Sequence, residues 1–171
     1  MSRILLADDS PHAQRMGERI LREEGYEVVS VTDGDTALLR LQDVDPDLVL
    51  LDVFLPLKNG LDLCRFVKNN PRHRHARVVL TAGLLEPFDE EEARLAGCDA
   101  ILRKPFEASL VLAAIQPLIA EAQAARVAVA GAPPPNIDPE CVRAAVTIAL
   151  DAAMPAMIDE ITERVLIALK D

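Results

Sequence analysis

Asp8 and Asp9 follow the apolar run Ile4-Leu5-Leu6-Ala7, and Asp52 follows Leu48-Val49-Leu50-Leu51. Thr81 follows Val78-Val79-Leu80, and Lys104 ends the weaker run that starts at Asp99 and includes Leu102. If these runs are strands of a parallel sheet, all five polar groups lie at its carboxyl end, where such sheets bind ligands. Three carboxylates in one crevice repel. At roughly 4 Å and an effective dielectric near 20, each pair costs on the order of 4 kcal/mol. One lysine cannot offset that. A hard divalent cation can, and Mg²⁺ takes one or two carboxylates, water and a phosphate oxygen. The set therefore points to Mg²⁺ and a phosphoryl group together. A carboxylate can be the nucleophile and form an aspartyl phosphate. Asp52 ends the most apolar, hence most central, run and is the candidate acceptor.

The elements that must position these groups alternate strictly. After Ile4–Ala7, residues 11–24 read as a helix with Met16, Ile20 and Leu21 on one side, stopped at Gly25. Tyr26–Val31 is strand-like, Asp33-Gly34 turns the chain, and 35–43 is helical until Pro46. The Leu48–Leu51 run is followed by a loop with Pro56 and Gly60 and a helix over 60–69. After the run 78–80 come a helix at 89–96, stopped by Gly97, the weak fifth strand, and a helix over 107–125 that Pro117 should bend. The apolar runs lack polar alternation, so both sheet faces should be covered. The expectation is an α/β fold, a doubly wound five-stranded parallel sheet, with a C-terminal helical extension.

Jointly, Leu6-Ala7-Asp8-Asp9-Ser10, Asp33-Gly34-Asp35-Thr36-Ala37-Leu38, Asp47-Leu48-Val49-Leu50-Leu51-Asp52, Leu55-Pro56-Leu57-Lys58-Asn59-Gly60, Thr81-Ala82 and Lys104-Pro105-Phe106 are specific. Over residues 2–124 the chain resembles the receiver domain of two-component response regulators. The resemblance implies the flavodoxin-like strand order 2-1-3-4-5. It implies that Asp52 accepts a phosphoryl group from a phosphohistidine on a sensor histidine kinase or phosphotransfer protein. It implies Mg²⁺ on Asp9, Asp52 and the main-chain carbonyl of Phe54, with Asp8 acting mainly through water. Lys104 would pair with phosphoryl oxygens, the bond to Pro105 would be cis, and Thr81 would swing to hydrogen-bond the phosphoryl group. Two positions depart from the family pattern. The switch position, usually Tyr or Phe, is Ile101, so no ring can rotate inward. Phe54 places bulk beside the expected path of hydrolytic water.

Composition bounds the rest. The 171 residues carry a formal charge of −10, and aromatic residues are 3% with no Trp. Base stacking lacks platforms, and the net charge opposes duplex DNA. No uninterrupted apolar run approaches the roughly 20 residues of a membrane span, and Asp8-Asp9 interrupt any signal-like start. Cys64, Cys98 and Cys141 are widely spaced, which fits a reducing, cytoplasmic compartment. Cys64 and Cys98 are expected in the core and His12 exposed. Arg72-His73-Arg74-His75-Ala76-Arg77 reads as a solvated basic loop, and Asp89-Glu90-Glu91-Glu92 as an acidic helix start that complements the dipole.

Residues 1–125 form the expected receiver and the Pro/Ala-rich 126–138 a linker. Asp138-Pro139-Glu140 opens an expected amphipathic helix over 139–171, kinked or split at Pro155. Val142, Val146, Ala149 and Ala153 make one stripe. Met154, Ile158, Ile161 and Val165 mark another, with acidic residues opposite. Such a face needs a partner. Docking back on the receiver is the lesser alternative; self-association or a foreign protein is expected, not DNA and not a membrane surface, whose helices are basic. The function expected is a phosphorylation-dependent response regulator that acts by protein–protein interaction. The alternatives are a scaffold or localisation protein whose receiver no longer switches, and an aspartyl-phosphate phosphatase. The phosphatase pattern places its nucleophile in Asp-x-Asp after the first strand, unlike Asp8-Asp9-Ser10.

Overall fold

A computed structural model describes residues 2–131. The stripes expected within 139–171, including Met154, Ile158, Ile161 and Val165, lie outside the described residues. Strands β1 (Arg3–Ala7), β2 (Glu27–Val31), β3 (Leu48–Asp52), β4 (Arg77–Gly83) and β5 (Ala100–Lys104) alternate with helices. The helices are α1 (Pro11–Glu23), α2 (Gly34–Val44), α3 (Gly60–Asn69), α4 (Glu90–Leu95) and α5 (Ala108–Gly131). All strand pairs are parallel, in the order β2-β1-β3-β4-β5. That is the expected doubly wound arrangement.

The strands are apolar throughout because each face is covered. Alternate side chains go to opposite layers. Leu5, Ala7, Val49, Leu51, Val78 and Leu80 pack with Ala37, Leu41, Leu63, Cys64, Val67 and Ala93 of α2, α3 and α4. Ile4, Leu6, Leu48, Leu50 and Val79 pack with Ile20 and Leu21 of α1 and with Val111, Ile115 and Ile119 of α5. Every residue of β3 is buried, so its last residue is delivered to the carboxyl edge from a fully packed strand. Caps set the helix starts. Ser10, Asp33, Asn59 and Asp89 each accept a main-chain N–H at the N-terminus of α1, α2, α3 and α4. The acids Glu90, Glu91 and Glu92 occupy the first turn of α4, as dipole complementarity asks.

Three expectations need correction. First, α5 runs to Gly131, past the expected domain end at 125, so residues 126–131 of the expected linker are helical. Pro117 lies inside this helix. Arg126 explains the extension: it binds Asp45 and Asp47 on the body of the domain. Second, Ala108–Ala128 is long and apolar enough to cross a membrane by length and composition alone. Gln116, Glu121 and Gln123 break it into short apolar pieces in the sequence, which is why no continuous run marks it. In this fold Val111, Ile115, Ile119 and Ala122 face the sheet.

Third, the stretch 72–77 is solvated only in part, being exposed at Arg72 and Arg74 alone. His73 and His75 are buried, the former 1% exposed. His73 lies against the Phe66 ring, with centroids 6.5 Å apart. Burial, with Arg72 adding to it, holds the His73 pKa below the usual imidazole value. A neutral imidazole buries far more readily than the arginines around it, so the charged composition misleads here.

Ile115 is fully buried and joins α5 to the sheet. Ile115→Ala is expected to reduce the unfolding free energy by about 2–5 kcal/mol, measured by urea denaturation.

Candidate functional site

The carboxyl edge is assembled from tight turns that follow β1 and β3. Asp8 follows β1, and its N–H donates to the Val31 carbonyl at 3.1 Å. Its Oδ1 accepts the Ser10 N–H at 2.9 Å, which lets Ser10 go on to cap α1. Asp52 Oδ1 accepts the Phe54 N–H at 3.0 Å in the same way. Both are aspartates bonding main chain two residues on, a local preference of this side chain. The β3–α3 loop is held from two sides. Gly34 donates to the Pro56 carbonyl at 3.1 Å, and Gly60 donates to the Val53 carbonyl at 3.0 Å. Gly60 has to be glycine, because a Cβ there would lie 2.3 Å from the Asp52 carbonyl oxygen.

These turns bring Asp8, Asp9 and Asp52 together, with one carboxylate oxygen from each within 4.8 Å of the others. Asp8 and Asp52 are buried and Asp9 is exposed. Lys104 Nζ lies 2.8 Å from Asp8 Oδ2 and hydrogen-bonds Asp52 Oδ2. Burial pushes the Asp8 pKa up, more than the Lys104 ammonium and the Ser10 N–H pull it down. Burial alone would lower the Lys104 pKa, but Asp52 and Asp8 together outweigh it and hold it above the usual lysine value. Asp8 Oδ2 is buried with no well-aligned hydrogen-bond partner. A buried anionic oxygen that shares its one neighbouring cation, Lys104, with Asp52 and stands beside two more carboxylates suits a hard cation. The donor set is all oxygen, which fits Mg²⁺ rather than a thiophilic metal.

Thr81 is 2% exposed and pairs with Asp52 across β3 and β4. Its carbonyl accepts the Val53 N–H at 2.9 Å. Lys104 pairs with Gly83 at the end of β5, and the Lys104–Pro105 bond is cis. Ile101 pairs with Leu80 and is partly buried against the core. Phe54, whose main-chain N–H holds Asp52, is half-exposed, 44% accessible. The predicted set of Asp8, Asp9, Asp52, Thr81 and Lys104 thus meets at one edge, with Phe54 next to it and Ile101 on the neighbouring strand.

Sequence reasoning missed three contributors. Gly60 supports Asp52 by its lack of a side chain, and only the folded distance reveals that. Arg103 donates to the Gly83 carbonyl at 3.3 Å, pairs with Glu90 at 3.4 Å and lies over the Phe88 ring at 5.2 Å. It ties the loop after β4 to β5, and nothing in its local sequence marks it. At the opposite edge, Asp45, Asp47, His75 and Arg126 converge from four separate segments.

A search against known proteins agrees with this geometry. The response regulator receiver domain matches residues 4–116, so the chain belongs to that family. It is 30% identical over 114 residues to protein PilG of Pseudomonas aeruginosa, covering 67% of this chain and 84% of PilG. It is 36% identical over 117 residues to response regulator PleD of Caulobacter vibrioides, covering 68% of this chain but 26% of PleD. Among solved structures, chemotaxis response regulator CheY4 of Vibrio cholerae is similar with a TM-score of 0.64 and 26% identity. That match covers 69% of this chain and 98% of CheY4. Receiver domains are signalling domains that bind Mg²⁺ through acidic residues and interact with histidine kinases or phosphotransfer proteins.

Asp9 is the one acid of the cluster without a contact to Lys104 among the described residues, so its charge is the least compensated. Asp9→Asn is expected to raise Tm in EDTA by relieving repulsion. It is also expected to shrink the Tm gain produced by added Mg²⁺. Differential scanning calorimetry with and without Mg²⁺ checks both signs.

Proposed function

We propose that the protein is a phosphorylation-dependent response regulator in which Asp52 accepts a phosphoryl group from the phosphohistidine of a sensor kinase or phosphotransfer protein. The observation that carries this reading is the buried Asp52 carboxylate facing Lys104, Asp8 and Asp9 at the end of a fully packed strand. A carboxylate oxygen of Asp52 attacks phosphorus, a P–O bond forms, and the P–N bond to histidine breaks with its electron pair leaving on the imidazole. Asp9, Asp52 and the Phe54 carbonyl are the proposed direct holders of Mg²⁺, with Asp8 acting through water. Bound Mg²⁺ supplies charge neutralisation for the phosphoryl oxygens. Lys104 gives up part of its bond to Asp52 and pairs with a phosphoryl oxygen. Thr81 donates its hydroxyl to another.

Output is proposed to run through protein–protein contact rather than DNA. The acidic 139–171 region with its Met154, Ile158, Ile161 and Val165 stripe is the proposed contact, to a second copy or to a downstream protein. A cytoplasmic setting goes with this reading. Ile101 favours a second reading, a scaffold or localisation protein whose phosphorylation is not relayed, because an aliphatic side chain there has no ring to reorient. Phe54 is proposed to slow hydrolysis of the phosphoryl group by covering the approach of water.

With a small phosphodonor and Mg²⁺, the wild-type chain is expected to gain one phosphoryl group by intact mass, and Asp52→Asn none. An unlabelled wild type would overturn the receiver function. Phe54→Asn is expected to lose the phosphoryl group faster than wild type, followed by the decay of the labelled mass. Ile161→Glu is expected to lower the scattering mass of the full chain if the stripe self-associates. An unchanged mass removes self-association through the stripe.

A further inference from the structure

At the sheet edge opposite Asp52, charged groups form a closed network. Arg126 near the end of α5 donates Nη1 to Asp45 Oδ2 at 2.5 Å and Nη2 to the Asp45 carbonyl at 2.8 Å. Its Nη2 also lies 3.1 Å from Asp47 Oδ1 and 2.9 Å from His75 Nε2. A guanidinium has only donors, so the buried His75 Nε2 must be the acceptor, and the imidazole is neutral with its proton elsewhere. Arg3 completes the set: its Nη2 is 3.4 Å from Asp45 Oδ2, and its main-chain N–H donates to Asp47 Oδ2 at 3.0 Å.

The charges balance as they stand. Asp45 and Asp47 face Arg126 and Arg3, two against two. The charged and titratable groups around His75 come from several elements, with Arg74 next to it in the chain. Arg126 comes from α5, Asp45 from the C-cap of α2, Asp47 from the turn before β3, Arg3 from β1, and Arg72 and His73 from its own turn. Burial first, then Arg126, holds His75 below the usual imidazole pKa, against the pull of Asp45, Asp47 and a bond to the Arg72 main chain.

We propose that this network is an acid-released latch: protonation of His75 displaces the Arg126 guanidinium from Asp45 and Asp47 and frees the C-terminal end of α5. A proton from solvent binds Nε2. Two donors then face each other at the site of the former bond, and a third cation has no carboxylate left. His75⁺ is already 3.5 Å from Asp45 Oδ1 and takes over that anion. Arg126 is the cation in direct contact with His75, 2.9 Å from Nε2, whereas Arg3 reaches Asp45 from β1, so the new charge repels Arg126 first and Arg126 is the cation that leaves. The latch works at the point where the chain departs toward residue 132, so it sets the firmness of that exit independently of Asp52.

Amide hydrogen exchange of residues 119–131 in the full chain tests this at about pH 7.5 and about pH 5.5, corrected for intrinsic rates. Protection in wild type is expected to fall roughly tenfold at the lower pH, the loss of a bond to a charged group. His75→Gln is expected to hold its protection at both values, and Arg126→Gln to be unprotected at both. Equal wild-type protection at the two pH values overturns the latch, and so does an equal fall in His75→Gln. Should that variant fail to fold, NMR of the wild type decides. The Arg126 side-chain signals must shift with the same midpoint as the His75 ring, and separate midpoints overturn the proposal.

Discussion

Lys104 is the contact on which the carboxyl edge depends. Its ammonium touches Asp8 and Asp52 at once, and so ties the end of β5 to the ends of β1 and β3. It still leaves the cluster two charges short of neutrality, since Asp8, Asp9 and Asp52 face it together. Burial sharpens the imbalance, raising the Asp8 pKa and leaving Asp8 Oδ2 without an aligned donor. A packed protein tolerates such a deficit where a ligand cures it. The deficit is thus the chemical content of the site: it favours an incoming divalent cation.

The opposite edge obeys the reverse rule. Asp45 and Asp47 are matched by Arg3 and Arg126, and a neutral His75 sits against the guanidinium. Nothing there calls for a cation. The two edges share one scaffold, with five parallel strands covered on both faces, so the same apolar packing holds one polar cluster short of charge and the other satisfied. Between them, every residue of β3 is buried.

Helix α5 is the element by which the chain leaves the receiver. Its inner side is held by Val111, Ile115, Ile119 and Ala122, its far end by Arg126. Glu121 adds an ion pair to Arg77 at 3.3 Å. Arg103 spans Gly83, Phe88 and Glu90 beside the site.

Much was legible in the residues alone. Apolar runs without polar alternation required a sheet covered on both faces, and alternation with helical segments required parallel strands, because hydrophobic burial acts on residue type and period. Asp8, Asp9, Asp52, Thr81 and Lys104 were identifiable because each follows or ends an apolar run, and topology forces those ends onto one edge, although β4 itself runs on past Thr81 to Gly83. Local patterning could not show which charges meet across the fold. It took 72–77 for a solvated loop and ended the last helix at 125. The tertiary structure decided otherwise, because His75 and Arg126 lie 51 positions apart and their contact exists only once β4 and α5 pack. The closeness of Gly60 to the Asp52 carbonyl was decided the same way, by a steric distance that no sequence period encodes.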